Sequence, residues 1–294
     1  MRIEKNHVNA LIACALVVMI ITMSLVGCID LSELGKAKHT YIPVSTTEEL
    51  FQVVDDGIYS FDDTIYVKTN SYSTFRTLWD ELNRQNVLHT VFREKFYQVR
   101  YKETNDGCEV QLVMTLNPCG EAMRYLYAKT VNDYKDDQAR AVGEKLLEIK
   151  NELIKPGMTE EEIVRAIHDY IISKYQYAVG GDVNDYAQTQ VLFEQGMGQC
   201  QAYSELFVAL CLLSGVEARI ISGESSFGFG EKGHAWCKVK ISHLWYHVDV
   251  TWDDPIPDVS GMVRYEYYLK SDLTIRQTHQ WSTLFGQCYA DYST

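Results

Sequence analysis

GMGQCQAYSELFVALCLLSGV, residues 196–216, is the stretch whose reading decides the fold. Gly196 and Gly198 let the backbone turn sharply without steric cost. Beyond them Tyr203, Leu206, Phe207, Leu210 and Leu213 recur at helical spacing, and Gly215 follows as a stop signal. The spacing predicts a buried helix with Cys200 in its first turn. Unpaired backbone N–H groups and the helix dipole favour negative charge at such a place. A thiol there is either a small packing residue or a nucleophile favoured as thiolate. The downstream sequence decides between the two.

A thiol nucleophile needs a base and a group that orients the base. Residues 218–222 (ARIIS) read as a strand. HAWCKVKI (234–241) and LWYHVDVTW (244–252) read as two more, separated by Ser242-His243. A two-residue hairpin loop there sets Ile241 opposite Leu244 and makes positions 234 and 249 diagonal neighbours on one face. Such neighbours stand roughly 7–8 Å apart, within reach of long side chains. His234 is therefore predicted to meet Asp249. Trp236 shares that face, as a wall of the site or as core. Cys237 points the other way and is expected to pack. The chemistry this spacing predicts is a thiolate that attacks an acyl carbon. An imidazole holds its proton and passes it to the leaving amine, and a carboxylate fixes the imidazole tautomer. The Cys200 N–H, at the helix start, is a natural oxyanion donor.

GMGQCQAYSELFVALCLLSGVEARIISG, GHAWCKV and WYHVDVTWDDP together resemble the transglutaminase-like core, a papain-like fold with a Cys–His–Asp triad. The resemblance extends upstream to KPGMTEEEIVRAIHDYI and downstream to YEYYLKSDLTI and THQW, covering about residues 140–282. It implies Cys200 as nucleophile, His234 as base and Asp249 as orienting acid. Cys237 stands where such sequences commonly carry asparagine. Related enzymes take a second oxyanion donor from a Gln, Trp or Tyr side chain outside these blocks; Tyr177 and Gln190 are the candidates. The expected fold is α+β: helices packed on an antiparallel sheet over residues 135–294, preceded by a smaller α+β region over 46–134.

In that smaller region, residues 46–56 and 73–91 read as helices, and 63–69, 95–102 and 109–116 as strands. No chemistry-bearing cluster appears in it. From residue 135 a helical face runs to Ile154 and stops at Pro156-Gly157, and Thr159-Glu-Glu-Glu162 has the form of a capping box. His168 and Asp169 in the next helix are expected to be a hydrogen-bonded structural pair. Trp252, Asp253 and Asp254 are expected to end a strand. His243, His247 and Cys237 do not match a zinc spacing, so no metal or other cofactor is expected. The loop SSFGFGEKG, with Phe227 and Phe229, either gates the site or merely connects strands.

The first residues, MRIEKNH, form a short basic head, and Ala10 to Val26 is almost continuously apolar, ending in Leu25-Val26-Gly27-Cys28. This resembles a bacterial lipoprotein signal peptide over residues 1–27, with Cys28 as the lipidated N-terminus and 28–45 as a tether. A retained membrane anchor is the alternative. Both place the remainder outside the cytoplasm, in the cell envelope; the lipoprotein form hangs from the outer face of the cytoplasmic membrane. Disulfides are permitted there, and Cys108 and Cys119 bracket an alternating run that they could bridge. The net charge of −13, without basic clusters, argues against a nucleic-acid partner. The chain is thus expected to be a cysteine enzyme acting on peptide or protein amides by hydrolysis or by transfer to an amine. The absence of a calcium loop or amine-recognition feature leans toward hydrolysis. The alternatives are a non-catalytic binding module that keeps the fold, and a structural lipoprotein domain with Cys200 locked in a disulfide.

Overall fold

Thr46 starts the first helix by a reciprocal cap. Its hydroxyl accepts the Glu49 N–H (3.1 Å), and the Glu49 carboxylate accepts the Thr46 N–H (3.2 Å). In the computed structural model, which describes residues 39–88, 91–180, 183–226, 233–259 and 261–293, this helix is α1 (Thr47–Tyr59). Strand β1 (Ile42–Pro43) precedes it and β2 (Thr64–Thr69) follows. Helix α2 (Tyr72–Arg84) then leads to the hairpin β3 (Arg93–Thr104) and β4 (Gly107–Leu116). The sheet order is β1-β2-β4-β3, with β1 parallel to β2 and the other pairs antiparallel. Along β4, Cys108, Val110, Leu112, Met114 and Leu116 are buried at alternate positions. The end of the 28–45 stretch read as a tether is tied into this sheet, Ile42 opposite Val67.

Helix α3 (Pro118–Met123) is capped by Asn117, whose side chain accepts the Gly120 N–H. Helices α4 (Asp137–Leu153) and α5 (Glu160–Lys174) follow. The Thr159 capping box is present in both directions, at 3.2 and 2.7 Å. A short parallel pair, β5 (Gln176–Tyr177) with β6 (Met197–Gly198), brackets α6 (Val183–Tyr186) and α7 (Thr189–Gln195) and delivers the chain to α8 (Cys200–Leu213). The second sheet comprises β7 (Ala218–Ser225), β8 (Gly233–Ile241), β9 (Leu244–Val248) and β10 (His279–Trp281), in the order β10-β7-β8-β9 and antiparallel throughout. Helix α8 packs on β7 and β8, and α5 packs on α8. This is the α+β arrangement that the sequence predicts.

The β8–β9 hairpin has the predicted register, with Ile241 opposite Leu244 and Cys237 opposite Val248. Ser242 and His243 sit at φ 48° and 70°, the left-handed pair that a type I′ turn requires. The Ser242 N–H is held by the Glu160 carboxylate (2.8 Å). The strand expected over 244–252 is shorter. It ends at Val248, and α9 (Val250–Asp253) is a helical turn. The cause is Asp249, whose Oδ1 accepts the N–H groups of Thr251 (3.0 Å) and Trp252 (3.1 Å) as an N-cap.

All six described cysteines are free and buried. The Cys108–Cys119 bridge is not formed, and strand geometry forbids it. The β4 stretch from 108 to 116 alone spans about 27 Å at its usual rise, whereas bridged Cα atoms lie within about 7 Å. Residues 1–38, including the leader and Cys28, lie outside the described residues, as do Phe227 and Phe229. Among the described residues no helix is long and apolar enough to cross a membrane.

Buried apolar side chains are continuous through residues 41–294, from Leu50 and Phe92 to Trp236 and Phe285. Helix α8 is buried from Ala202 to Leu212 on every side, as expected of a helix without a polar face. Its one carboxylate, Glu205, accepts the N–H of Phe92 (2.7 Å), the Asn117 side-chain amide (2.7 Å) and the N–H of Thr189 (2.9 Å). Three separate segments therefore converge on the middle of the helix that carries Cys200. Replacing Glu205 by Ala strands these three donors, each costing about 1–3 kcal/mol. Denaturant unfolding of Glu205→Ala should show a loss of roughly 3 kcal/mol or more. A loss below about 1 kcal/mol would mean that this clamp is dispensable.

Candidate active site

Cys200 opens α8, and the side chain of the preceding Gln199 does not cap the helix. The approach is shaped by two glycines. Gly196 ends α7 at φ 71°, a conformation that favours glycine, and a Cβ on Gly198 would press on the Leu192 side chain at 2.5 Å. Cys200 is 8% exposed. Its thiol bears electrostatically on the ring of His234, at the start of β8.

The other side of that ring is fixed. His234 Nε2 lies 2.7 Å from Asp249 Oδ2. Asp249 is fully buried, and its four hydrogen bonds fill both oxygens: Thr251 and Trp252 donate to Oδ1, and His234 and His279 (3.0 Å) meet Oδ2. Burial works to protonate this carboxyl, but the His234 charge and the imidazole hydrogen bonds outweigh it and hold it well below the usual carboxylate range. Burial likewise disfavours the charged His234, yet the Asp249 charge and hydrogen bond, with the Cys200 thiol, push it up to about 10. Trp236 stacks near the His234 ring (5.8 Å, 18°), and Trp252 lies at the same distance, tilted by 43°. The structure thus brings together Cys200, His234 and Asp249, and Trp236 both walls the imidazole and fills core.

Tyr177 lies on β5 opposite Gly198, beside the entry to Cys200, with its ring 6.4 Å from that of Tyr203. Gln190 is not brought to the thiol. It sits on α7, bonds Glu194 (2.8 Å) and lines a separate cleft with Asp137, Val142 and Phe193. A helix turn there, which sequence pattern alone did not reveal, aims it at α4. Cys237 is buried on the opposite strand face, its thiol against the Ser204 carbonyl (3.7 Å). His168 is the structural histidine expected, held between Asp169 (2.9 Å) and Asp253 (3.1 Å). The sequence reading gave His279 and His247 no part in the site. For His247 the one signal was a histidine inside an apolar strand pattern, which is common in cores, and His279 stands in a segment too short to show a pattern.

Two described groups bring metal-ligating atoms close together: His234, Asp249 and His279, and His247, Asp272 and Cys288. In the second, the Trp236 indole N–H donates to His247 Nδ1 (3.1 Å). Indole only donates, so the His247 proton is on Nε2, facing Asp272 (2.9 Å). A cation there would have to displace that proton, and the hydrogen bond already accounts for the geometry.

Asp254 is buried beside the site. Its Oδ2 accepts the Tyr203 hydroxyl (2.8 Å), and its Oδ1 has no partner. Burial pushes its pKa up to about 7. An acid raised in this way stabilises the fold when protonated, and that contribution is lost as pH rises through the raised value. Stability should therefore fall between about pH 4 and 7, the window between the ordinary carboxyl value and the raised one, and Asp254→Asn should flatten the fall. Tm profiles of the two proteins that run parallel across this range would contradict the assignment.

Over residues 148–250 the chain matches the family model of the transglutaminase-like superfamily. It is 31% identical over 123 residues to kyphoscoliosis peptidase of Homo sapiens, a span of 38% of this chain and 18% of that protein. The Mus musculus protein of the same name is 30% identical over 127 residues, covering 39% and 19%. The match thus spans less than a fifth of the length of these relatives. A solved structure described as a TGase is similar with a TM-score of 0.36 and 15% identity, over 72% of this chain and 59% of that one. The resemblance to the transglutaminase-like superfamily thus lies in residues 148–250, which hold Cys200, His234 and Asp249.

Proposed function

We propose that this chain is an extracytoplasmic cysteine enzyme that opens peptide or protein amides through a thioester at Cys200. The observation that carries the reading is the 2.7 Å hydrogen bond from His234 to the buried Asp249 carboxylate, on a ring whose pKa the Cys200 thiol helps to raise. The Cys200 sulfur, as thiolate, attacks the amide carbon, and the carbonyl oxygen takes the negative charge. The Cys200 N–H at the head of α8 faces that charge, and Tyr177 beside Gly198 is the candidate for a second donor. His234 passes its proton to the leaving nitrogen as the C–N bond breaks, which leaves an acyl thioester. Water or an amine then attacks, His234 accepts its proton, and the thiolate is released.

Water is the acceptor we favour, because no amine-recognition feature stands out in the sequence, and the curated relatives carry the name peptidase. The roles of Cys200, His234 and Asp249 are those that the resemblance implies. For location, we propose the cell envelope, with Cys28 lipidated on the outer face of the cytoplasmic membrane and the tether leading to the sheet at Ile42. The acidic charge fits a peptide or protein partner rather than nucleic acid.

Iodoacetamide labelling with peptide mapping tests this reading. At neutral pH Cys200 should react well ahead of the five other described cysteines. His234→Ala should slow its labelling by roughly 100-fold or more. Slow, equal labelling of all six thiols in both proteins would favour a non-catalytic binding module on the same fold.

A further inference from the structure

We propose that His279 is a positioning residue for the Cys200–His234 couple, supplying a second imidazole N–H to the Asp249 oxygen that His234 uses. The inference rests on the reading of Cys200, His234 and Asp249 above and goes beyond it by assigning His279. His279 Nε2 is 3.0 Å from Asp249 Oδ2, and the residue is fully buried on β10, the edge strand paired with β7. Its ring is clamped by three aromatic neighbours: Trp252 at 4.6 Å, Trp236 at 4.9 Å and Tyr267 at 5.5 Å between centroids. The ring has little room to turn, so Nε2 is held toward the carboxylate.

The proton on Nε2 follows from its partner. His279 Nδ1 lies 2.8 Å from the Thr278 hydroxyl, which also donates to the Ile275 carbonyl (3.4 Å) and can serve Nδ1 as donor or acceptor. An ionised carboxylate only accepts. The ring nitrogen 3.0 Å from Oδ2 must therefore carry a proton that points at it, whichever way Thr278 serves Nδ1. One oxygen therefore receives two ring N–H groups while the other receives two backbone N–H groups. The backbone pair fixes Oδ1. The second imidazole fixes where Oδ2 points, and so the line along which His234 is drawn toward the thiol. Without His279, Oδ2 keeps one ring partner beside an emptied aromatic box, and the carboxylate can tilt into it. Small displacements of this kind weaken a couple whose rate depends on alignment.

A donor role and a space-filling role separate on substitution. In the full-length chain His279→Gln keeps an N–H donor near the Nε2 position, whereas His279→Leu fills space without one. Iodoacetamide labelling of Cys200 should slow roughly 10- to 100-fold in His279→Leu and stay within about threefold of wild type in His279→Gln. Labelling of His279→Leu at the wild-type rate overturns the proposal, as does equal slowing of both variants. A wild-type Cys200 with no advantage over the other thiols overturns the enzyme reading instead. Should His279→Leu fail to fold, or Cys200 prove unreactive, ¹⁵N NMR of the wild-type imidazoles still decides. A proton on Nε2 supports the assignment, and a ring protonated on Nδ1 alone overturns it.

Discussion

A carboxylate out of contact with water must have its charge met by donors, or the fold ejects or protonates it. Asp249 meets this requirement with four hydrogen bonds, and the rest of the site is arranged by them. Two come from the backbone of the turn that it caps, so strand β9 ends and helix α9 begins because Asp249 is there. The other two come from imidazoles on β8 and β10, strands separated in the sheet by β7. One side chain thereby ties the hairpin, the short helix and the sheet edge to a single point, and His234 is left with one nitrogen for Cys200.

The thiol is positioned by a separate constraint. Helix α8 has no polar face, and its place is set by burial together with the three donors that converge on Glu205. Two of those donors, from Phe92 and Asn117, come from segments that precede the transglutaminase-like match. The region before residue 135 therefore contributes no side chain to the Cys–His–Asp line, yet it holds the helix that presents the sulfur.

Much of this was legible in the chain of residues. The two-residue separator Ser242-His243 fixed the hairpin parity, and parity alone put His234 within reach of Asp249. The helix from Cys200 followed from apolar spacing after two glycines, and the Thr159 box from a threonine with glutamate three residues on. What escaped the reading has physical reasons. Asp249 was read as a strand residue, although a carboxylate in that position can instead cap the N–H groups two and three residues ahead. His279 lies on a three-residue strand, too short to show a period, and its partner strand is some fifty residues earlier in sequence. Glu205 stood out as a lone charge in an apolar helix, but its donors come from positions 92, 117 and 189, a convergence that no local pattern encodes. Gln190 was considered for its chemistry alone, and the helix it sits on turns it toward α4.

The account's central claim is that the buried Asp249 carboxylate holds His234 as an imidazolium beside the thiol. The most direct measurement is the titration of the His234 ring by NMR. The account predicts a pKa pushed up to about 10 in the wild-type chain, falling toward the ordinary histidine value of about 6.5 in Asp249→Asn. A wild-type ring that titrates near that ordinary value and does not respond to Asp249→Asn would contradict it.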